Sequence, residues 1–454
     1  MIHLHTHSHY SLLCGASSPA ELIARAADLG FPALAMTDLN AMYGTVEFQK
    51  ECDKAGLRAI HGVEITDDRP IDIDPVRLIA GSLAPGRPRA VLLARDESGY
   101  AAICRLTTLR QVRPDFRLLR ELPPFLGAEG GGLFCLTDSL PVLEAVSRAA
   151  SEDTNKSPDL MAFTRGALRV LLPTVGGELG PIYRRLRELD GWAAAHNVPV
   201  VASGDVFAAV PEDLERQKLL SSMRTLTTIE TVPADRCAPH GSWLRPAARM
   251  RELLDEFPHA CLESEAVAEQ CRFQHKLGRW RYPEFPLPPG ETTESYLWKL
   301  CFDGLQKRYR QVTGRAMARL QEEIAVVEKL GFAGYFLIVW DIVRFAGGRG
   351  MPTLGRGSAA NSLVSYLLGI THVDPLEHDL YFQRFLNPER LTPPDIDLDF
   401  GWKDRDQVLE YVYDRYGRDR TAMICNINRF SSRSGFREAA KARGYGDRQL
   451  SKVT

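Results

Sequence analysis

Three carboxylates alternate with three apolar side chains in the segment PPDIDLDF, residues 393–400. Successive side chains of a strand point to opposite faces, so Asp395, Asp397 and Asp399 are expected to share one face. Like charges this close need a cation to neutralise them. Oxygen ligands favour a hard ion such as Mg²⁺ or Mn²⁺, and two such ions can activate a hydroxyl and stabilise a leaving phosphate oxygen. By itself, the segment is equally typical of an edge strand with a solvated acidic face.

The segment GRGS, residues 355–358, precedes a run with a helical pattern, AANSLVSYLL. Glycines ahead of a helix N-terminus free backbone N–H groups to hold a phosphate. Arg356 can add bidentate charge, and Ser358 can cap the helix and donate a hydrogen bond. Arg384 and Arg390 flank the approach to the acidic strand. Singly, these arginines are typical of surface charge. Together with the acidic strand they indicate a site for a nucleoside triphosphate.

Four histidines alternate in the N-terminal segment HLHTHSH. If this segment is a strand, His3, His5, His7 and His9 share one face. Several imidazoles on one face indicate a transition-metal site. The alternative is a polar strand end that binds nothing.

Short apolar strands alternate with helical segments over the first 210 residues, which is typical of the α/β class. The predicted strands are 32–36, 89–94, 168–173 and 198–203, and a capping box at 18–21 begins a helix. Repeated β-α units predict a parallel sheet, open or closed into a barrel. The working residues are then expected at the carboxyl ends of the strands.

Beyond residue 210 the pattern is helical until a proline-rich linker, YPEFPLPPGE, at 282–291. Such a linker indicates a domain boundary. A long helix is predicted at about 294–330, followed by a buried apolar helix in GYFLIVWDIVRFA. An amphipathic helix is predicted from about 405 to 416.

The 454 residues suffice for two or three domains. No apolar run reaches the length of a membrane span, and the N-terminus lacks a signal-peptide pattern, so we expect a cytoplasmic protein without membrane partners. The nine cysteines form no C-x-x-C pair, which favours reduced thiols. The net charge of −2 does not indicate nucleic-acid binding, although a whole-chain sum leaves room for a local basic groove.

Five motifs, in order, resemble the palm of the bacterial C-family DNA polymerases, the DNA polymerase III α-subunit family. They are GYFLIVWDIVRFA, LGRGSAANS, GITHVDPLEHDLYFQRFLNPER, PPDIDLDF and YVYDRYGRDR. GRGSAANS and PPDIDLDF are most similar to the error-prone, damage-tolerant branch. The resemblance implies that Asp395 and Asp397 bind two catalytic Mg²⁺ ions. The family pattern also has an acid at the position of Asp399, but only the first two are taken as catalytic. The resemblance also implies that the triphosphate is held by Arg356, Gly357 and Ser358, assisted by Arg384 and Arg390.

HLHTHSHYSLL, PALAMTD, GTVEF and GVEI resemble the polymerase-and-histidinol-phosphatase (PHP) domain that opens these polymerases. The resemblance implies a PHP-type (β/α) barrel. Its metal-ligand positions are then His5, His7, Glu64 and Asp205. Cys14, Leu39 and Phe207 depart from the family pattern, and neither leucine nor phenylalanine can bind a metal. We therefore expect a degraded metal site and a structural role for this domain.

These observations predict three segments. Residues 1–275 are the PHP-like domain with a helical C-terminal part, which also serves as the helical linker region. Residues 276–431 are the first part of an incomplete, mixed α/β nucleotidyltransferase palm. Residues 432–454 are the start of a thumb. In the family a third catalytic carboxylate lies far beyond Thr454, so we expect this chain alone to be inactive.

The implied function is DNA-directed DNA polymerase activity in damage-tolerant, translesion synthesis. A nucleotide passes from a dNTP to a primer 3′ hydroxyl, with primer–template DNA and dNTPs as substrates. For the whole protein, the resemblance implies the sliding clamp and mutagenesis accessory proteins as partners. One alternative is a truncated, non-catalytic relative that binds nucleotide, DNA or a partner. Another is a metal-dependent PHP phosphoesterase, which the missing ligands disfavour.

Overall fold

The computed structural model describes residues 1–67, 83, 87–152, 166–174, 179–278, 282–387, 389, 394–424 and 426–451. The chain folds into two compact units. The first unit comprises Met1–His275 with Arg429–Thr454, and the second comprises Lys276–Asn428. The domain boundaries predicted from the sequence, at 275/276 and 431/432, remain a prediction, because this division into compact units does not test them.

The first unit is built on a curled sheet with helices around it. Its strands, adjacent in chain order, are β1 (Ala33–Met36), β2 (Arg58–Thr66), β3 (Arg89–Ala94), β4 (Leu133–Thr137), β5 (Leu168–Pro173) and β6 (Val200–Ser203). Its helices up to the linker are α1 (Pro19–Asp28), α2 (Thr45–Ala55), α3 (Glu97–Val112), α4 (Leu118–Glu129), α5 (Leu140–Glu152), α6 (Leu179–His196), α7 (Asp213–Thr225), α8 (Ala247–Leu253) and α9 (Pro258–Gln270). Aliphatic side chains of the strands, with Leu22 and Phe48 from α1 and α2, form its core.

The capping box predicted at the start of α1 is confirmed. The Ser18 hydroxyl accepts a hydrogen bond from the backbone N–H of Glu21, and the Glu21 carboxylate accepts one from the backbone N–H of Ser18. Both of these terminal N–H groups therefore have partners, which fixes where the helix begins.

The sheet is mixed, so the prediction of a parallel sheet is wrong at β3. This strand runs antiparallel to both β2 and β4, whereas β1 with β2, β4 with β5, and β5 with β6 are parallel. Two consecutive helices, α3 and α4, follow β3 and return the chain to the end of β3 that it left. There the backbone N–H of Arg95 donates to the carbonyl oxygen of Gly132, 2.9 Å away. A single crossover helix would have given a parallel strand instead.

The histidine-rich segment connects the two edges of the sheet. Backbone N–H groups of Ala35 and Thr37, at β1, donate to the carbonyl oxygens of His3 and Thr6. On the other side, the backbone N–H of His7 donates to the carbonyl oxygen of Val206, just after β6, over 2.8 Å. The curled sheet is thereby joined into a barrel. The segment is not a regular strand, because only Thr6 forms a β-bridge.

The second unit contains α10 (Thr293–Arg308), α11 (Gly314–Lys329), α12 (Ala333–Gly348), β7 (Thr353–Arg356), α13 (Leu363–Leu367), β8 (Asp397–Phe400) and α14 (Arg405–Tyr416). The single helix predicted at 294–330 is two helices. The Thr313 hydroxyl accepts from the backbone N–H of Ala316 and caps α11, which competes with continuation of the first helix. The apolar helix predicted in GYFLIVWDIVRFA is confirmed as α12, with Phe336 and Leu337 fully buried.

Near the end of the chain lie α15 (Ser432–Ala442) and α16 (Asp447–Leu450). Helix α15 packs against α7, and the Ala442 carbonyl oxygen accepts a hydrogen bond from the backbone N–H of Ile229. These residues are thus part of the first unit, and their assignment to a thumb stays a prediction. Of the helices that the structure describes, none is both long and apolar enough to cross a membrane.

Candidate metal centre and nucleotide site

The acidic strand pairs with the strand that carries GRGS. Strands β7 and β8 are antiparallel, with Arg356 opposite Asp397 and Leu354 opposite Asp399. Ile396 and Leu398 pack against the core of the second unit. The acidic side chains face away from that core: Asp395 and Asp399 are exposed and Asp397 is half-buried. The strand begins at Asp397, so Asp395 lies just before it.

Arg356 forms an ion pair with Asp399. Its Nε lies 3.1 Å from Asp399 Oδ2 and 3.2 Å from Asp399 Oδ1, and both side chains are more than half exposed. An exposed pair of this kind contributes at most about 1 kcal/mol. An incoming phosphate can therefore take Arg356 away from Asp399 at little cost.

The GRGS segment does not lead straight into a helix, which corrects one prediction. It spans the end of β7 and the start of a 3-10 turn, Gly357–Asn361, before the short helix α13. Gly357 has a φ of +76°, in the left-handed region, and a Cβ at this position would lie 3.8 Å from Asp397 Oδ2. The turn therefore passes directly beside the Asp397 carboxylate.

The cap of α13 is Ser362 rather than Ser358, and the helix N-terminus is already occupied. The buried Glu323 carboxylate accepts hydrogen bonds from the Ser362 hydroxyl at 2.9 Å and from the backbone N–H groups of Leu363 and Val364 at 3.0 and 3.1 Å. These donors are not available to a phosphate. Any phosphate contact must instead come from the strand end and the turn before α13.

The structure places Arg384 in a second 3-10 turn, Phe382–Arg384, which packs against the turn at Gly357–Asn361. The Arg384 side chain is exposed. Arg390 lies outside the described residues. Of the predicted triphosphate residues, Arg356, Gly357 and Ser358 thus lie together beside Asp397, with Arg384 on the neighbouring turn.

Tyr335 of α12 was missed by the sequence analysis. Burial raises the pKa of its hydroxyl, and the carboxylates of Asp395 and Asp397 raise it further, while a hydrogen bond with the backbone of Ile396 has the opposite effect. This hydroxyl therefore lies against the acidic strand. Within a nearly all-apolar helix, Tyr335 has the sequence context of a core residue. Its hydroxyl group was the one signal in the sequence that could have indicated a polar contact.

In the first unit, four predicted metal-ligand residues come together. Ligand atoms of His5, His7, Glu64 and Asp205 all lie within 4.8 Å of one another, and all four residues are buried. His5 Nε2 is 2.6 Å from Glu64 Oε2, and His7 Nε2 is 3.5 Å from Asp205 Oδ1. Glu64 comes from β2 and Asp205 follows β6. The two histidines come from the N-terminal segment, whose backbone is hydrogen-bonded to both edges of the sheet.

The other two histidines lie elsewhere, so the prediction that all four share one face is wrong. The ring of His3 packs against Phe31 and its Nε2 donates to the carbonyl oxygen of Arg245 at 2.9 Å. The ring of His9 lies beside Tyr10. The alternation of a strand fails here because the segment is not part of a regular ladder and forms only one β-bridge, at Thr6.

Two arginines reach the same cluster and were also missed. Arg89 of β3, which is fully buried, donates to Asp205 Oδ2 at 2.7 Å and to both carboxylate oxygens of Asp138 at 2.8 and 3.0 Å. Its Nη1 also lies 3.4 Å from Glu64 Oε2, and Arg87 donates to Glu64 Oε1. A charged residue inside the apolar strand RAVLLA was the signal that could have revealed this network.

The charges of this cluster shift its pKa values. Burial alone would raise the pKa values of Glu64 and Asp205. The positive charges of Arg87 and then Arg89 at Glu64, and of Arg89 at Asp205, bring both pKa values well below their usual range. Burial lowers the pKa of His7, yet the nearby carboxylates of Asp205 and Glu64, 3.5 and 3.4 Å from its Nε2, raise it overall to about 8. Both carboxylates are therefore ionised at neutral pH.

The residues that depart from the PHP pattern form an apolar wall. Cys14, Leu39 and Phe207 belong to one small buried cluster, and the Phe207 ring stacks on His7 with 4.2 Å between ring centroids. Asp38 accepts hydrogen bonds from Ser8 and Ser11, so its carboxylate is used structurally.

Two family models match separate parts of this chain. Residues 3–161 match the PHP domain, and residues 295–454 match the bacterial DNA polymerase III alpha NTPase domain. The chain is 35% identical to the error-prone DNA polymerase of Symbiobacterium thermophilum, over 99% of this chain and 41% of that protein. The chain belongs to the DNA polymerase III α-subunit family. The predicted α/β class, with a PHP-type first part and a polymerase palm region, is confirmed.

Two further relatives of this polymerase family show the same partial coverage. The DNA polymerase III subunit alpha of Bacillus subtilis is 32% identical over 100% of this chain and 39% of its own length. The error-prone DNA polymerase of Mycobacterium bovis is 34% identical over 97% of this chain and 40% of its own length. The chain thus spans about two fifths of these curated relatives.

The PHP match implies a divalent metal ion at His5, His7, Glu64 and Asp205. One feature favours such an ion: among the described residues, neither His5 Nδ1 nor Asp205 Oδ1 finds a hydrogen-bond partner. Against it, the two anionic ligands are already neutralised by arginines, and a divalent ion would stand beside the Arg89 guanidinium. The residues present therefore do not fit a metal ion.

Proposed function

We propose that the whole protein containing this chain is an error-prone, DNA-directed DNA polymerase. The observation that supports this most directly is the β7–β8 pair, which presents Arg356 opposite Asp397 on the side away from the core. Membership of the DNA polymerase III α-subunit family gives this pair its context, and two of the three relatives described above are named error-prone DNA polymerase.

The proposed reaction joins the primer 3′ oxygen to the α-phosphorus of a dNTP. The bond from that phosphorus to the pyrophosphate breaks, and the hydroxyl proton is released. Asp395 and Asp397 offer oxygen ligands only, which fits Mg²⁺. When bound, two such ions activate the hydroxyl and stabilise the leaving oxygen. In the part of the chain that the structure describes, these carboxylates do not form a set of three ligand groups, so we propose that a further carboxylate of the whole protein joins them.

The triphosphate is proposed to lie along the end of β7 and the following turn. Arg356 would exchange Asp399 for a phosphate oxygen, and the backbone of Gly357 would approach the phosphates because no side chain stands in the way. Ser358 would donate a hydrogen bond, with Arg384 adding positive charge from the adjacent turn. Arg390 is not among the described residues, and we propose for it the same role of adding positive charge for the triphosphate.

The proposed substrates are primer–template DNA and dNTPs. The proposed partners of the whole protein are the sliding clamp and mutagenesis accessory proteins, and the proposed location is the cytoplasm. The named relatives are DNA polymerases, and the partners and the location rest on the family alone.

The test is template-dependent primer extension by the protein encoded in the whole reading frame. Asp397→Asn should abolish incorporation, because it removes a charged metal ligand. Asp399→Asn should change the rate by no more than about fivefold, since it loses only an exposed ion pair worth about 1 kcal/mol. Asp406→Asn, an exposed acid of α14, is the matched control and should leave the rate unchanged.

Full activity of the Asp397→Asn variant would refute the assignment of the site. A wild-type whole protein that binds dNTP and Mg²⁺ without incorporation would instead indicate the non-catalytic relative. A phosphoesterase function of the first unit is not proposed, because its carboxylates are engaged by Arg87 and Arg89.

A further inference from the structure

We propose that Arg89 takes the place of a metal ion in the PHP barrel. Its guanidinium supplies the positive charge that holds Glu64, Asp138 and Asp205 together, and the first unit folds without a metal at this site. This inference does not depend on the proposed polymerase activity.

The pairing of the strands explains why Arg89 reaches the cluster. Glu64 of β2 pairs with Val91 of β3, and Arg89 lies two residues from Val91 along the strand. Residues two apart on a strand share a face, so Glu64 and Arg89 point to the same side of the sheet. Asp138 directly follows β4, the other neighbour of β3, and enters the cluster from that side.

The geometry of the guanidinium matches this role. Its planar fork has five N–H donors, enough for carboxylates on different elements. Nε and Nη2 bind the two oxygens of Asp138, while Nη1 binds Asp205 and lies near Glu64. The second oxygen of Glu64 is bound by Arg87. A fully buried charge is retained in a protein when it is paired and hydrogen-bonded in this way.

A metal ion among the same groups would meet three obstacles. Its anionic ligands already have cationic partners, so they would attract it less. It would stand next to the buried Arg89 charge without solvent to screen the repulsion. Finally, Phe207 covers one face of the His7 ring and Leu39 lies in the same apolar cluster, so two sides of the site offer no ligand.

The network connects parts of the barrel that are far apart in sequence. Glu64 belongs to β2, Arg89 to β3, Asp138 follows β4 and Asp205 follows β6. A bound metal joins several elements in the same manner, so Arg89 substitutes for the ion in structure as well as in charge. Removal of Arg89 would take away the guanidinium that contacts all three buried carboxylates, while Arg87 would still bind Glu64.

The first experiment measures metal content. The full chain is incubated with excess Zn²⁺ or Mn²⁺, dialysed and analysed for bound metal. We expect far less than one ion per chain, and a melting temperature (Tm) that added metal does not change. One tightly bound ion per chain that disappears in a His5→Ala/His7→Ala variant would overturn the proposal.

The second experiment changes Arg89. Arg89→Met keeps an unbranched apolar stem and removes the guanidinium with its charge, so we expect a much lower Tm. Zn²⁺ or Mn²⁺ should then raise that Tm with increasing concentration, because the cluster has lost the positive charge of Arg89 and keeps its carboxylates. Arg105→Met, which breaks only an exposed ion pair of α3, is the matched control and should have a Tm close to that of the wild type.

If Arg89→Met does not fold, Arg89→Lys retains the charge without the fork. It should fold with an intermediate Tm and still bind no metal. An Arg89→Met protein as stable as the Arg105→Met control would overturn the proposal, as would an Arg89→Lys protein with wild-type Tm.

Discussion

His61 shows how burial fixes the protonation state of a single residue in the first unit. Thr45 Oγ1 lies 2.8 Å from its Nδ1, and Gln49 Oε1 lies 2.9 Å from its Nε2. Since an amide oxygen only accepts, Nε2 carries the proton and Nδ1 accepts from the Thr45 hydroxyl. Burial, assisted by charge on His275, lowers the pKa of His61 to about 3. The ring is therefore neutral in the folded protein at any pH of physiological interest.

The sign of the resulting pH dependence follows from the two pKa values. An unfolded histidine titrates near about 6.5, so below that pH the unfolded chain binds a proton that folded His61 does not. The contribution of neutral His61 to the free energy of unfolding is then fully present above a pH of about 6.5. It falls with acidification by up to about 1.4 kcal/mol per pH unit, until the pH reaches the pKa of His61 in the folded protein. We predict that His61→Gln shows a slope smaller by one proton between these limits.

The measurement is the free energy of urea unfolding as a function of pH. The variant is also expected to be less stable at neutral pH, because the new side chain does not fill the same space. His196→Gln, at an exposed histidine of α6, should leave the slope unchanged. Equal slopes for the wild type and His61→Gln would contradict the prediction.

At the scale of elements, Glu323 determines how the chain leaves β7. Its carboxylate, buried on α11, takes the first backbone N–H groups of α13 and the hydroxyl of Ser362, and it is also bound by Arg319 Nε at 2.7 Å. The helix N-terminus is thereby satisfied from within the second unit. This contact holds the turn that carries Gly357 and Ser358 in a fixed position.

We predict that Glu323→Ala destabilises the second unit by about 2–5 kcal/mol, because it leaves buried N–H groups without an acceptor. The whole protein should also show a raised KM for dNTP, since the turn beside Asp397 loses its support. Thermal unfolding and primer-extension kinetics measure the two effects. Glu328→Ala, on an exposed position of the same helix, is the matched control. A variant with unchanged Tm would show that Glu323 does not carry this role.

At the scale of the whole molecule, the two units differ in whether their carboxylates need a metal ion for charge balance. The first unit contains a cluster whose carboxylates are neutralised by arginines. The second unit presents exposed or half-buried carboxylates, and among the described residues an ion pair at this strand joins Arg356 to Asp399. A chelator should therefore affect the proposed chemistry and leave the stability of the barrel unchanged.

We predict that EDTA stops primer extension by the whole protein and that excess Mg²⁺ restores it. In parallel, hydrogen exchange of β2 and β3 should be the same with and without EDTA, because Arg89 rather than a metal holds these strands. Faster exchange in EDTA, reversed by Zn²⁺ or Mn²⁺, would be the opposite outcome. Primer extension that persists in EDTA would contradict the metal dependence proposed for Asp395 and Asp397.

Several predictions with a local cause were correct, although the local cap at Thr313, which separates α10 from α11, was missed. The sequence PPDIDLDF predicts which side chains face the core, because alternation is a property of any strand. The capping box at Ser18 and Glu21 and the burial of α12 follow equally from residue types a few positions apart. The family motifs, likewise contiguous, were sufficient to predict both parts of the chain.

Only the tertiary structure decided which distant residues meet. The antiparallel pairing of β4 with β3 depends on two helices in succession, and the occupied N-terminus of α13 depends on Glu323, about 40 residues earlier. The arginines of the first unit follow the same rule, since Arg89 is 49 residues from Asp138 and 116 from Asp205. The sequence by itself determined the family and part of the local geometry, such as the cap of α1 and the alternation of β8. The charge balance of the barrel was decided by the pairing of strands, because burial and partners, not residue type, determine whether a carboxylate needs a metal.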